Sequence, residues 1–143
     1  MLNLYNVQNK NLYMTFNTNY KNVTAFANVN SNDMGFLAGY QDGSVKYYDA
    51  RDKNKALLQF RDAKAYCGYV SDICVSEDKE NYPNVFYTAC YDGKIRAYDI
   101  RGGSKALFAV ETKDTEKNYT VKSNGNNSIL CGGDGSVVNV FDV

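Results

Sequence analysis

The chain contains no histidine, no tryptophan and a single proline, Pro83, and it carries no net charge. Each absence removes something. Without histidine, proton shuttles of the Ser-His-Asp or Cys-His kind have no base, and a common neutral zinc ligand is missing. Sixteen basic residues balance sixteen acidic ones, so no broad basic field exists to hold nucleic-acid phosphates or an anionic membrane. Direct nucleic-acid or membrane binding is therefore not expected. No apolar run approaches the roughly 18 residues of a membrane span. The opening Met1-Leu2-Asn3-Leu4-Tyr5 lacks the charged and apolar regions of a signal peptide, which reads as an intracellular chain, cytoplasmic or nuclear. Cys67, Cys74, Cys90 and Cys131 include no C-x-x-C pair and fit free thiols; the last three lie in apolar runs, where cysteine acts as a small hydrophobe. No metal or cofactor is implied. Glu77, Asp78 and Glu80 sit in one charged turn, and Gly102-Gly103-Ser104-Lys105 lacks the upstream glycine of a phosphate loop. The chain is not expected to be an enzyme.

What the sequence does contain is itself, repeated. Shifting it by 50 residues places Phe36 on Phe86, Asp42-Gly43 on Asp92-Gly93, Tyr48-Asp49 on Tyr98-Asp99, Arg51 on Arg101 and Lys55-Ala56-Leu57 on Lys105-Ala106-Leu107. A third copy runs from Ile129 through Asp134-Gly135-Ser136 to Phe141-Asp142. A period of 40 to 50 residues makes each copy one supersecondary unit. Short runs rich in Val, Ile, Tyr and Phe between Gly, Asp and Asn turns give the local structure as strands. The first full unit reads as strands over Val23–Asn28, Gly35–Gln41, Ser44–Asp49 and Ala56–Phe60, and the second over Ser71–Ser76, Asn84–Tyr91, Lys94–Asp99 and Ala106–Val110. The last supplies Tyr119–Ser123, Ser128–Gly132 and Val137–Asp142. Leu2–Val7 and Asn11–Phe16 read as the closing two strands of an earlier unit. Asp-Gly between the second and third strands of each unit predicts a tight hairpin, since glycine accepts positive φ and aspartate bonds its own backbone. The one extra residue between Asp134 and Asp142 predicts a bulge in Val137–Val140.

Small residues, then Asp-Gly-Ser or Asp-Gly-Lys, alternating residues and an aromatic-Asp pair resemble the WD40-repeat family over essentially the whole chain. Tyr5, Tyr48, Tyr98 and Phe141 stand 43, 50 and 43 residues apart. The resemblance implies an all-β fold, a partial β-propeller of four-stranded antiparallel blades. It divides the chain as one propeller portion: a partial blade at 1–20, blades at 21–62 and 63–114, and a partial blade at 115–143. Lacking Trp and His, the chain has neither the family's eponymous dipeptide nor its Gly-His element. The family's His-Asp-Ser/Thr-Trp network has only its Asp positions here, Asp42, Asp92 and Asp134. Propellers close with four to eight blades, so the resemblance implies a portion of a larger ring or an arc that partner chains complete. It also implies a non-catalytic scaffold that binds other proteins or peptides and assembles complexes. Alternatives are a substrate receptor of a cullin-RING ubiquitin ligase and a protein component of a ribonucleoprotein or RNA-processing assembly.

Strands that alternate in direction bring two sets of turns to opposite rims. One rim gathers Gln41, Tyr69, Tyr91 and Tyr119, and rigidly held tyrosines make good binding anchors because they offer large area for little lost entropy. The other carries Tyr48-Asp49-Ala50-Arg51 and Tyr98-Asp99-Ile100-Arg101. These resemble the aromatic-Asp-x-Arg box of ligase substrate receptors, where the arginine helps to dock the adaptor. The plainer alternative is that Arg51 and Arg101 cap their own turns.

Overall fold

The computed structural model describes residues 1–143 except 20, 30, 53–54, 63–66, 114 and 126. The unit boundaries expected at 20–21, 62–63 and 114–115 each involve a residue outside that set. Among the described residues there is no helix, and so none long and apolar enough to cross a membrane. Their strands form four antiparallel sheets, each running in chain order. The first pairs β1 (Leu2–Tyr5) with β2 (Leu12–Phe16). The second contains β3 (Val23–Val29), β4 (Asn32–Tyr40), β5 (Val45–Asp49) and β6 (Leu58–Phe60). The third contains β7 (Val70–Val75), β8 (Val85–Cys90), β9 (Lys94–Asp99) and β10 (Phe108–Glu111). The fourth contains β11 (Asn118–Ser123), β12 (Ser128–Gly133) and β13 (Val138–Asp142). The architecture is all-β and consistent with a partial blade-type fold.

Equivalent residues follow from the ladders. Gly39 faces Val45, Ala89 faces Ile95 and Gly132 faces Val138 across the central hairpins. The first two turns are alike: Gly43 and Gly93 take φ of 79° and 74°, where a side chain would be strained. In each, the preceding aspartate accepts from the backbone N–H two residues on, Asp42 from Ser44 and Asp92 from Lys94.

The third hairpin corrects two expectations. Val138–Asp142 pairs with Ser128–Gly132 without interruption, so the bulge expected in Val137–Val140 is absent. Nor does the turn hold an extra residue: Gly132 and Val138 are as far apart in the chain as Gly39 and Val45 or Ala89 and Ile95, and it is the Asp-Gly pair that begins one place earlier. Counting from Gly132, Asp134 stands where Gln41 and Tyr91 stand, one place before Asp42 and Asp92. The backbone agrees, because the N–H groups of Gln41, Tyr91 and Asp134 donate to Asn22, Tyr69 and Lys117 in turn. Bulges occur instead at a common place, the second residue of β3, β7 and β11, which is Thr24, Ser71 and Tyr119.

The sheets stack face to face. Leu2 and Phe16 of the first pack on Ala38, Tyr40 and Tyr48 of the second. Leu37, Val45 and Phe60 on the second sheet's other face meet Val70, Ile73, Phe86 and Tyr98 of the third. Tyr87, Ala89 and Ile95 meet Val121, Ile129 and Cys131 of the fourth. The motif aromatics build these contacts. Phe36 and Tyr48 stack at 5.2 Å with Phe16 edge-on, and Phe86 and Tyr98 stack at 5.2 Å with Phe60 edge-on. Such offset and edge-on pairs add about 0.5–1.5 kcal/mol each beyond their buried area. At the third junction Val110, Ile129 and Phe141 occupy the same ladder positions. Leading strands adjoin, β3 beside β7 and β7 beside β11. Hydroxyls at the bulges bridge them: Thr24 Oγ1 donates to the carbonyl of Val70, and Ser71 Oγ to that of Asn118.

Candidate recognition surface

The rim at the β4–β5, β8–β9 and β12–β13 turns carries one structural place filled in three ways. The residue before the leading strand and the residue entering the turn are joined by a backbone hydrogen bond in each unit. In the first unit the pair is Asn22 and Gln41, whose side chains hydrogen-bond at 2.8 Å. In the second it is Tyr69 and Tyr91, whose rings lie 4.6 Å apart, tilted by 33°. In the third it is Lys117 and Asp134, with Asp134 Oδ1 accepting from the Glu116 and Lys117 amides. Tyr119, thrown out of β11 by its bulge, brings its ring edge-on to Tyr91 at 5.7 Å. Lys117 Nζ lies 6.0 Å from the Tyr91 ring centre, a weak cation–π distance. Tyr91 and Tyr119 are exposed and Tyr69 is half-buried. Three of the four expected rim residues thus form one aromatic row, while Gln41 is engaged by Asn22.

Arg51 and Arg101 lie at the opposite ends of these sheets, each turned onto the aspartate two residues before it. Arg51 forms a fork with Asp49, Nε to Oδ1 at 2.9 Å and Nη2 to Oδ2 at 2.5 Å, and reaches Asn32. The bonds from Arg51 and Asn32 hold the Asp49 carboxyl well below the usual carboxylate range. Arg101 approaches Asp99 more loosely, at 3.5 Å on both atoms.

Sequence reasoning missed what holds the tyrosine rim rigid. Arg96, fully buried in β9, forks onto Asp92 at 3.0 and 2.6 Å and turns Nε to Asp62 at 3.1 Å. Burial would lower its pKa; the Asp92 hydrogen bonds and charge outweigh that and raise it, so it stays charged. In the first full unit Lys46 has the same ladder place, buried, 5.0 Å from the Tyr40 ring centre. Asp42 is instead paired with Lys21 and Ser44. Burial would raise the Asp42 carboxyl, yet those bonds win and hold it at about 2. A signal existed: both Asp-Gly turns carry a cation four residues after the aspartate, Lys46 and Arg96, and the third does not. Asp72 was also missed. It accepts from Thr120 Oγ1, the Val121 amide and Lys122 Nζ, tying β7 to β11. The buried thiols of Cys90 and Cys131 are pushed up by desolvation, to about 12 and about 11, and are inert as nucleophiles.

No family model matches this chain, and no curated protein matches it.

Proposed function

We propose that the chain is a non-catalytic WD40-type propeller portion that scaffolds protein assembly, with the Tyr69–Tyr91–Tyr119 row as its recognition surface. The single observation that carries this reading is that row: three contiguous amphipathic rings, Tyr91 and Tyr119 exposed and Tyr69 half-buried, with Tyr91 on the turn that the buried Arg96 fork anchors. Tyrosines held against one another lose little entropy when covered, which is the economy of an interface anchor. The partner is a protein or peptide, because a neutral surface offers no counterion-release drive toward nucleic acid. The arginines of the opposite rim serve to close their own turns, and adaptor docking through them is not part of this proposal.

The test compares capture of partner proteins from native cell extract by the wild-type chain, by Tyr91→Ala/Tyr119→Ala and by Arg51→Ala/Arg101→Ala. Loss of two such anchors is expected to weaken binding by about 30-fold or more, with cooperative thermal unfolding retained. Equal recovery by the tyrosine variant, or loss only with the arginine variant, overturns the proposal.

A further inference from the structure

Lys46 and Arg96 hold one ladder place, Lys46 opposite Ala38 and Arg96 opposite Thr88, and they differ in what answers their charge. Arg96 has two carboxylates, Asp92 from its own turn and Asp62 from the segment that follows β6. Lys46 is 8% exposed, and among the described residues its ammonium makes no hydrogen bond and no ion pair. It lies 5.0 Å from the Tyr40 ring centre, and a ring face answers a buried charge only in part. Both carboxylates are missing for a visible reason. Asp42, the counterpart of Asp92, is turned onto Lys21 Nζ and Ser44 Oγ. The counterpart of Asp62 is Thr18, because Phe16 faces Leu2 as Phe60 faces Val45, and each lies two residues before the place in question. Thr18 is 1% exposed. Its Oγ1 accepts from the Met1 amino nitrogen at 3.1 Å, and its own proton has no acceptor among the described residues. Lys46 belongs to the same side, since Tyr48, two residues on, packs against Phe16. Burial and the neighbouring Lys21 lower the Lys46 pKa against the pull of Asp42.

We propose that this place is a binding site for one carboxylate. The anion accepts from Lys46 Nζ and from the Thr18 hydroxyl, and it stands where the Asp62 carboxylate stands beside Arg96. Three observations converge on it. Two buried donors, one from each side of the junction between the first and second sheets, lack an acceptor. The next junction fills the equivalent place with a carboxylate of the chain itself. Charge balance then selects one negative charge, because Lys21 and Lys46 set against Asp42 leave one positive charge. Entry is from the rim, where the Lys21 and Asp42 side chains are 39% and 29% exposed. A carboxylate suits the place because it offers two oxygens to two donors, and its charge-assisted bonds are about twice as strong as neutral ones. The site shares no residue with the tyrosine row and does not depend on it. A free small carboxylate and an acidic side chain of a partner present the same group, and the test separates them.

Thermal unfolding of the chain is followed at neutral pH as sodium acetate or sodium chloride is added. Acetate is expected to raise the midpoint saturably, by several degrees once it reaches about 100 times its Kd. Chloride, a single centre that cannot give one oxygen to each donor, is expected to produce a smaller rise without saturation. Lys46→Met strands no anion, because Asp42 keeps Lys21, and it is expected to lose the saturable part of the acetate response. Thr18→Asp supplies the carboxylate from the chain, as Asp62 does in the next unit. It is expected to melt above the wild type without acetate and to be indifferent to added acetate. Aspartate blocked as its N-acetyl amide distinguishes the sources. A response equal to that of acetate assigns the place to an acidic side chain of a partner, and a response to acetate alone assigns it to a free small anion. Equal responses to acetate and chloride overturn the proposal. So does a saturable acetate response that survives in Lys46→Met, or a Thr18→Asp chain no more stable than the wild type.

Discussion

The third and fourth sheets are copies of one design in two circumstances. In β7–β10 both faces are covered, the turn after β8 has the Asp-Gly form, and Arg96 ties it to Asp92 and Asp62. In β11–β13 one face is open, the Asp-Gly pair begins one position earlier in the turn, and Asn139 occupies the arginine's place, its Oδ1 accepting the Lys113 amide. Losing the cation and losing the Asp-Gly register go together, because Asp134 has moved to the preceding turn position and bonds backbone amides instead. A buried charge needs a fixed counter-charge. At the half-buried Asn139 no such pair forms, and the amide bonds the Lys113 backbone instead.

Removing the charge is the harshest way to break this comparison. Arg96→Met keeps much of the packing volume but leaves Asp92 and Asp62 without their cation. It is expected to cost about 3–5 kcal/mol, the range for breaking a buried pair, as a fall in the urea midpoint. Asn139→Ala at the same place should cost under about 1 kcal/mol. Similar losses at the two positions would show that the sheets are more alike than their turns suggest.

Asn118 sharpens the comparison from the other side. It is fully buried, and neither side-chain polar atom has a hydrogen-bond partner among the described residues. The ladder puts it where Val23 and Val70 stand in the earlier units, opposite Gly133 as they are opposite Tyr40 and Cys90. An unsatisfied buried amide costs about 1–3 kcal/mol. Asn118→Val is therefore expected to raise stability by about 1–2 kcal/mol and to increase the thermal midpoint by several degrees. A destabilised variant would mean that the amide has a role that valine cannot fill.

The smallest effect concerns acid. The Asp42 carboxyl, held at about 2, lies below its unfolded value near 3.9. The stability it lends is therefore complete above about pH 4 and is lost as pH falls toward 2. A carboxyl held that far below its unfolded value corresponds to about 2.5 kcal/mol; both partners are partly solvated, which reduces the expectation to about 1 kcal/mol. Asp42→Asn should flatten the acid limb of a stability-against-pH curve by that amount, and an unchanged limb would show that the Lys21 pair contributes nothing.

Much of the fold was legible because its signals are local and repeated. Phe36, Tyr48, Phe86 and Tyr98 recur at one spacing, and the strands around them fall within a few residues of their expected places. The third turn was misread because spacing was counted from Asp134, on the assumption that it holds the place of Asp42 and Asp92. Only pairing between Ser128–Gly132 and Val138–Asp142 shows that the hairpin has the same length as the others and that the aspartate sits one position earlier. The tyrosine row was legible as a rim and not as a contact: Tyr119 meets Tyr91 through a bulge that no residue pattern announces. The fork of Arg96 was hidden for a different reason. Arginine in an alternating strand reads as solvent-facing, and its partner Asp62 lies 34 residues away.

By itself the sequence determined the strands, their order and the hairpins between neighbours, because period-two alternation and Asp-Gly turns act over a few residues and need no tertiary context. Tertiary structure decided which charges are buried, which tyrosines touch and which faces stay open. Those outcomes depend on what one sheet presents to the next across about 10 Å, a distance over which residues far apart in the chain become neighbours.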